Sequence, residues 1–277
     1  KVASHMHGGD FRFGFPAQET AMSFDNEMVK EWVMPSFKDA PLELTLVGDL
    51  DPALALPLIQ KTFGALPERK TAKPNYEKRR KINVPARPDN KKFTFDSKIP
   101  NAAAMVVWKI PATGTDVKRT RRFNILASIL SDRLREEIRE KLGGSYSPRA
   151  SASPSQELDM GVLQAMAQVK PEETKKYGDL MISLAHKMAE NGVTQDELER
   201  SLKPIQSGLK ESLRDNGYWL GVVLGSSQEK PYMLDWARTR DEDYSKVTIK
   251  EINDLAKQFL RKSNAILYEI VPDPKEE

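Results

Sequence analysis

Apolar residues recur along this chain in two rhythms, one near 3.6 residues and one near 2, and the switches between them mark out helices and strands. Between Phe24 and Phe37, the residues Met28, Val29, Trp32, Val33 and Phe37 hold near-helical spacing, and the run Leu42-Glu43-Leu44-Thr45-Leu46-Val47 behind them reads as a strand. Gly48-Asp49-Leu50-Asp51-Pro52 ends that strand and opens a second helix. Asp51 supplies a capping oxygen there, and Pro52, which has no N–H to lose, suits the first helical position. That helix is expected to reach about Phe63, with Gly64 closing it.

Residues 67–91 hold prolines and many charges with almost no apolar period, the composition of a linker, so a domain boundary is expected there. Beyond it the pattern predicts strands from Phe93 to Asp96 and Ala102 to Ile110, which feed a long amphipathic helix through Phe123, Leu126, Leu130, Leu134 and Ile138. Gly143-Gly144 should stop this helix. Tyr146 to Ser153 and Gly161 to Val169 are strand-like, and Pro171 starts a helix carrying Tyr177, Leu180, Met181, Leu184 and Met188 that ends at Asn191-Gly192. Thr194-Gln195-Asp196-Glu197 has the form of a capping box and opens another helix, in which Pro204 should cause a kink.

The end of the chain echoes its beginning: a helix from Thr248 to Leu260 leads into an apolar strand, Ala265 to Val271. At a shift of roughly 223 residues, Val29, Trp32 and Phe37 fall on Ile252, Leu255 and Leu260, the signature of a repeated unit. The fold class expected is therefore α/β (α+β). Residues 1–66 form the closing portion of one domain, 67–91 a linker, and 92–277 a complete second copy.

Composition narrows the chemistry. The 277 residues are 39% hydrophobic with a net charge of +3 from 43 basic and 40 acidic side chains, a soluble mixed-charge chain with no marked pull toward polyanions. There is no cysteine, which removes disulfides, thiolate metal sites and cysteine nucleophiles together. No apolar run approaches the roughly 18 residues of a membrane span, and the start, KVASHMHGGD, has neither an initiator Met nor an apolar signal core, so the chain reads as beginning partway through something. His5 and His7 alternate along what reads as a flexible terminus, which holds a metal poorly, and His186 falls on a helix side opposite Leu184 and Met188. The basic clusters Lys78-Arg79-Arg80-Lys81 and Lys118-Arg119-Thr120-Arg121-Arg122 lack interleaved aromatics and read as solvated loop and helix-start charges; no nucleic-acid partner is expected.

Two segments carry a family resemblance. HGGDFRFGFP, continuing to LELTLVGDLDPALALPLIQKTFGALP, is similar to the end of a pitrilysin/insulinase-type α/β domain, with a strand ending in Val-Gly-Asp and a helix ending in Phe-Gly-x-Leu-Pro. LREEIREKLGGSYSP, residues 134–148, resembles the family's helix-to-strand junction, with Arg139 and Tyr146 spaced around a glycine turn. The resemblance implies two clamshell halves, each of two related domains with a mostly antiparallel sheet and helices packed on it. It places zinc in the first half, on an inverted His-x-x-Glu-His helix that none of His5, His7 or His186 reproduces. No metal or cofactor is therefore expected in this chain. It implies that Arg139 and Tyr146 contact an extended peptide substrate opposite the metal, that the partner is an N-terminal catalytic half or subunit, and that the chain alone is inactive. Gly-Gly-Ser before Tyr146 departs from the bulkier residue that relatives often carry there. A non-catalytic scaffold relative is the competing reading. A bacterial-looking chain without cysteine is compatible with the periplasm or cell envelope.

Overall fold

The computed structural model describes residues 1–70, 75, 77–82, 85, 88–143 and 147–273; Gly144, Tyr146 and part of the 67–91 stretch lie outside these. In chain order the helices are α1 (Val2–Met6), α2 (Gln18–Met22), α3 (Asn26–Asp39), α4 (Pro52–Lys61), α5 (Glu77–Arg80), α6 (Val117–Leu134), α7 (Thr174–Asn191), α8 (Gln195–Ser212), α9 (Tyr232–Arg238), α10 (Arg240–Ser245) and α11 (Ile249–Phe259). The strands are β1 (Lys91–Phe95), β2 (Ala102–Pro111), β3 (Arg149–Ser153), β4 (Met160–Val169) and β5 (Ala265–Pro272). Two compact units result, one from Lys1–Gly14, Arg79–Ser207 and Asp241–Glu277, the other from Phe15–Lys78 and Gly208–Arg240.

The first unit holds a five-stranded sheet in the order β1-β5-β2-β4-β3, parallel between β1 and β5 and antiparallel at its other pairings. Successive side chains of a strand face opposite ways, and β2 uses both faces. Ala104, Val106, Trp108 and Ile110 join the large core under α6, α7 and α11, while Met105 and Val107 meet Met6 of α1 on the other face. Fully burying each such aliphatic side chain is worth about 1.5–3 kcal/mol, so this double-sided burial fixes the register. α7 approaches β5 closely enough that a Cβ on Gly178 would lie 2.4 Å from Cδ1 of Leu267. The helix-before-strand ending is built as its pattern suggested: Thr248 and Glu251 form a reciprocal capping box on α11, and β5 takes a central place in the sheet.

Residues 1–7, read from sequence as a flexible terminus, are instead ordered by the sheet. Met6 is buried, and His5 Nδ1 lies 3.1 Å from the hydroxyl of Tyr268 on β5. The apolar face that α1 covers is the physical reason, since Met105, Val107 and Ile266 would otherwise meet water.

In the second unit the cap expected at Asp51 forms, its Oδ1 accepting from Ala53 N at 2.8 Å, and Asp25 Oδ1 caps α3 likewise by accepting from Met28 N at 2.8 Å. The strand expected over residues 42–47 does not form. A strand requires a hydrogen-bonded neighbour, and among the described residues none pairs with this segment. Leu42, Leu44 and Leu46 stay exposed along one side of it, and Trp32 and Phe37 of α3 are 82% and 69% exposed.

Candidate functional site

The helix-to-strand junction begins with the apolar stripe of α6. Leu126, Leu130, Leu134 and Ile138 repeat every four residues, and all are fully buried. Four residues of an α-helix turn about 40° more than a full circle, so a stripe of this period drifts off the core in a regular helix. The chain answers by changing helix type: after Leu134 it continues as a π-helical segment, Arg135–Lys141, whose wider turn returns Ile138 to the core. The single α-helix expected to run to Gly143-Gly144 thus changes type at Arg135, and the apolar period of four is the sequence signal for that change.

Arg139 follows Ile138 and is exposed. Its backbone carbonyl accepts from Gly143 N at 3.2 Å, and Gly143, at φ 60°, takes the left-handed conformation that lets the chain leave the helix. Tyr146 lies outside the described residues, so its distance to Arg139 is not part of the geometry. Among the described residues the ladder with β4 begins at Arg149. Around Arg139 the segment is charged: Lys141 Nζ pairs with Glu137 at 3.0 Å and Glu136 at 3.3 Å, and these contacts, Glu137 foremost, raise the lysine above its ordinary pKa.

Just before the π turn, α6 is held from outside. Arg133 donates from Nε to Glu197 Oε1 at 2.6 Å, from Nη2 to Oε2 at 2.9 Å, and from Nη2 to the carbonyl of Gly192 at 2.9 Å. Glu197 also accepts from Thr194 N at 2.7 Å, while Thr194 Oγ1 accepts from Glu197 N at 3.2 Å, which realises the capping box read from sequence. The Arg133 hydrogen bond, more than the burial that opposes it, lowers the Glu197 carboxyl to about 2. Asn253 of α11 closes the same node by accepting from Val193 N at 2.7 Å. A polar cleft of about 500 Å³ opens beside it, lined by Asp132, Arg133, Arg135, Glu136, Glu197 and Arg200 among others.

At the start of α6 the basic cluster is solvated as expected at Lys118, but Arg121 and Arg122 are not. Arg121 Nη1 meets Asp243 Oδ2 at 2.9 Å, Arg122 pairs with the other Asp243 oxygen and with Glu251 at 3.1 Å, and Arg121, Arg122 and Asp243 are all buried. Burial favours the neutral acid, but hydrogen bonds and charge from Arg121 and Arg122 prevail and hold Asp243 below its usual range. Its carboxylate is 122 residues from Arg121 in sequence, too far for a spacing rule to find.

The histidines stand apart. His5 faces Tyr268, His7 stacks on Phe13 with ring centres 3.7 Å apart, and His186 Nε2 reaches Glu190 at 3.4 Å. Among the described residues no group of three or more His, Asp or Glu side chains could hold a metal ion.

A family model described as Peptidase M16 inactive domain matches residues 23–204. A zinc protease PQQL-like of Arabidopsis thaliana is 24% identical over 224 residues, which is 74% of this chain and 23% of that protein. An uncharacterized zinc protease YmxG of Bacillus subtilis (strain 168) is 20% identical over 272 residues, covering 93% of this chain and 61% of the relative. The crystal structure of a protease from Helicobacter pylori shares the fold with a TM-score of 0.74 at 13% identity, over 94% of this chain and 62% of that one. The chain thus spans less than two thirds of the length of each.

Proposed function

This chain belongs to the peptidase M16 inactive-domain family, and from that premise we propose that it lines the peptide chamber of a zinc metallopeptidase from the side opposite the metal, contacting extended substrate through Arg139 and Tyr146. The observation that carries the reading is the π turn: it keeps Ile138 in the core and leaves the next residue, Arg139, exposed. A guanidinium there donates to peptide carbonyls in a fork geometry, and the phenol of Tyr146 donates to the carbonyl oxygen that gains charge during hydrolysis. β3, an edge strand paired only with β4 among the described residues, offers main-chain partners to an extended peptide.

The partner in this reading is an N-terminal catalytic half, in the same protein or a separate subunit. Support comes from the second unit, where the large apolar side chains of Trp32, Phe37, Leu54 and Leu58 are 82%, 69%, 70% and 65% exposed, which a partner surface would cover. Zinc belongs to that half, and this chain alone is inactive.

The test is cleavage of an internally quenched fluorescent peptide by the full-length protein, with and without a chelator, and by this chain as control. Arg139→Ala is expected to raise KM about tenfold through lost positioning, and Tyr146→Phe to lower kcat by about 10²-fold. Unchanged kinetics in both variants would overturn the assignment of the pair. A full-length protein inert with zinc supplied would replace the peptidase reading with that of a non-catalytic binding subunit.

A further inference from the structure

Arg139 projects from a π-helical segment, and the direction in which such a segment leaves its parent helix depends on where the last α turn is fixed. Two things fix it here. Inside, Leu134 and Ile138 are fully buried. Outside, Arg133 is the residue before Leu134, and its side chain is clamped in three hydrogen bonds: two to Glu197 at the start of α8 and one to the carbonyl of Gly192 at the end of α7. The clamp is itself braced. Gly192 turns at φ 76°, Val193 is buried and held by Asn253 of α11, and the Glu197 carboxylate simultaneously caps α8 through Thr194. Both charged groups are largely shielded, with side chains 21% and 15% exposed, so the fork is neither a solvated surface pair nor a fully desolvated one.

We infer that the Arg133–Glu197 clamp is a positioning device for substrate binding: it fixes the end of α6 so that Arg139, six residues on, leaves the π turn in the direction that meets the peptide. The inference rests on the reading of Arg139 as a substrate contact. Neither Arg133 nor Glu197 touches substrate in this scheme; they act through the helix. The geometry favours a planar bidentate fork at position 133, because a lysine ammonium can satisfy one carboxylate oxygen but not both oxygens and the Gly192 carbonyl with the same fixed orientation.

The experiment is a double-mutant cycle in the full-length protein, reading KM and kcat separately on an internally quenched fluorescent peptide. Arg133→Met and Arg139→Lys are combined, with thermal unfolding followed for every variant. Arg133→Met is expected to raise KM about tenfold with a smaller change in kcat, the size that misplacing a binding group by about 1 Å brings. Because its effect passes through Arg139, the double variant should be within about twofold of Arg139→Lys alone, a non-additivity that general destabilisation does not produce. Arg133→Lys should recover only part of the loss. Glu197→Gln, which keeps the cap, repeats the test if Arg133→Met folds poorly. Multiplicative effects on KM, or an Arg133→Met protein with unchanged KM while Arg139→Lys is impaired, would overturn the clamp and leave the substrate contact standing. An Arg139→Lys protein with wild-type kinetics would remove the contact and the inference with it.

Discussion

The buried carboxylate at position 243 offers the sharpest test of how the sheet-containing unit is held together. Asp243 is 4% exposed and serves two arginines, Arg121 and Arg122, themselves 5% and 6% exposed, and through them ties α10 to the first turns of α6. Asp243→Asn keeps the shape and removes the charge. Arg122 retains Glu251, whose side chain is 43% exposed, and Arg121 retains the ring of Tyr244 at 5.4 Å, but neither replaces a buried carboxylate shared between two guanidinium groups. Removing one partner of a buried ion pair costs about 3–5 kcal/mol. The cost should appear as a lowered urea midpoint with an unchanged slope, since the surface exposed on unfolding is unaltered. The pH dependence has a definite sign. The folded carboxyl lies below its ordinary value of 3.8, so its contribution is full above that value and fades as pH falls through the folded pKa. The gap between wild type and Asp243→Asn should therefore be constant near neutrality and close in acid. A midpoint shift worth under about 1 kcal/mol at pH 7 would refute the reasoning, because it would mean that water or another group already screens the cluster.

Two further outcomes follow from the same packing. Gly178→Ala places a methyl 2.4 Å from Cδ1 of Leu267 and should destabilise by about 1–3 kcal/mol in thermal unfolding, an effect that Leu267→Ala should reduce in the double variant. Glu197→Ala removes a cap and an ion pair together and should cost about 1–2 kcal/mol at pH 7. With the folded carboxyl at about 2 against an ordinary 4.5, that difference should persist to about pH 4.5 and vanish on further acidification, measured by urea titrations across the range.

Much of this was legible in the chain because it is local. The periods of β2, β4, α7 and α11, the cap residue Asp51 and the Thr194–Glu197 box all depend on neighbours within a few positions, where sterics and hydrogen-bond reach are set by backbone geometry alone. Arg139 and Tyr146 both stay assignments by resemblance, and Arg139 lies in a π-helical segment rather than in the α-helix expected there. What only the tertiary structure decided is what depends on a distant partner. Residues 42–47 have strand chemistry but acquire no ladder among the described residues, since a strand exists only with a neighbour to bond. His5 packs beside Tyr268 because a sheet face needed covering, and Arg121 and Arg122 are buried because Asp243, far along the chain, neutralises them. The π turn stands between the two cases. Its cause, an apolar period of four, is written in the sequence, but the core that forces Ile138 inward, and so sets the bearing of Arg139, exists only once the sheet is assembled.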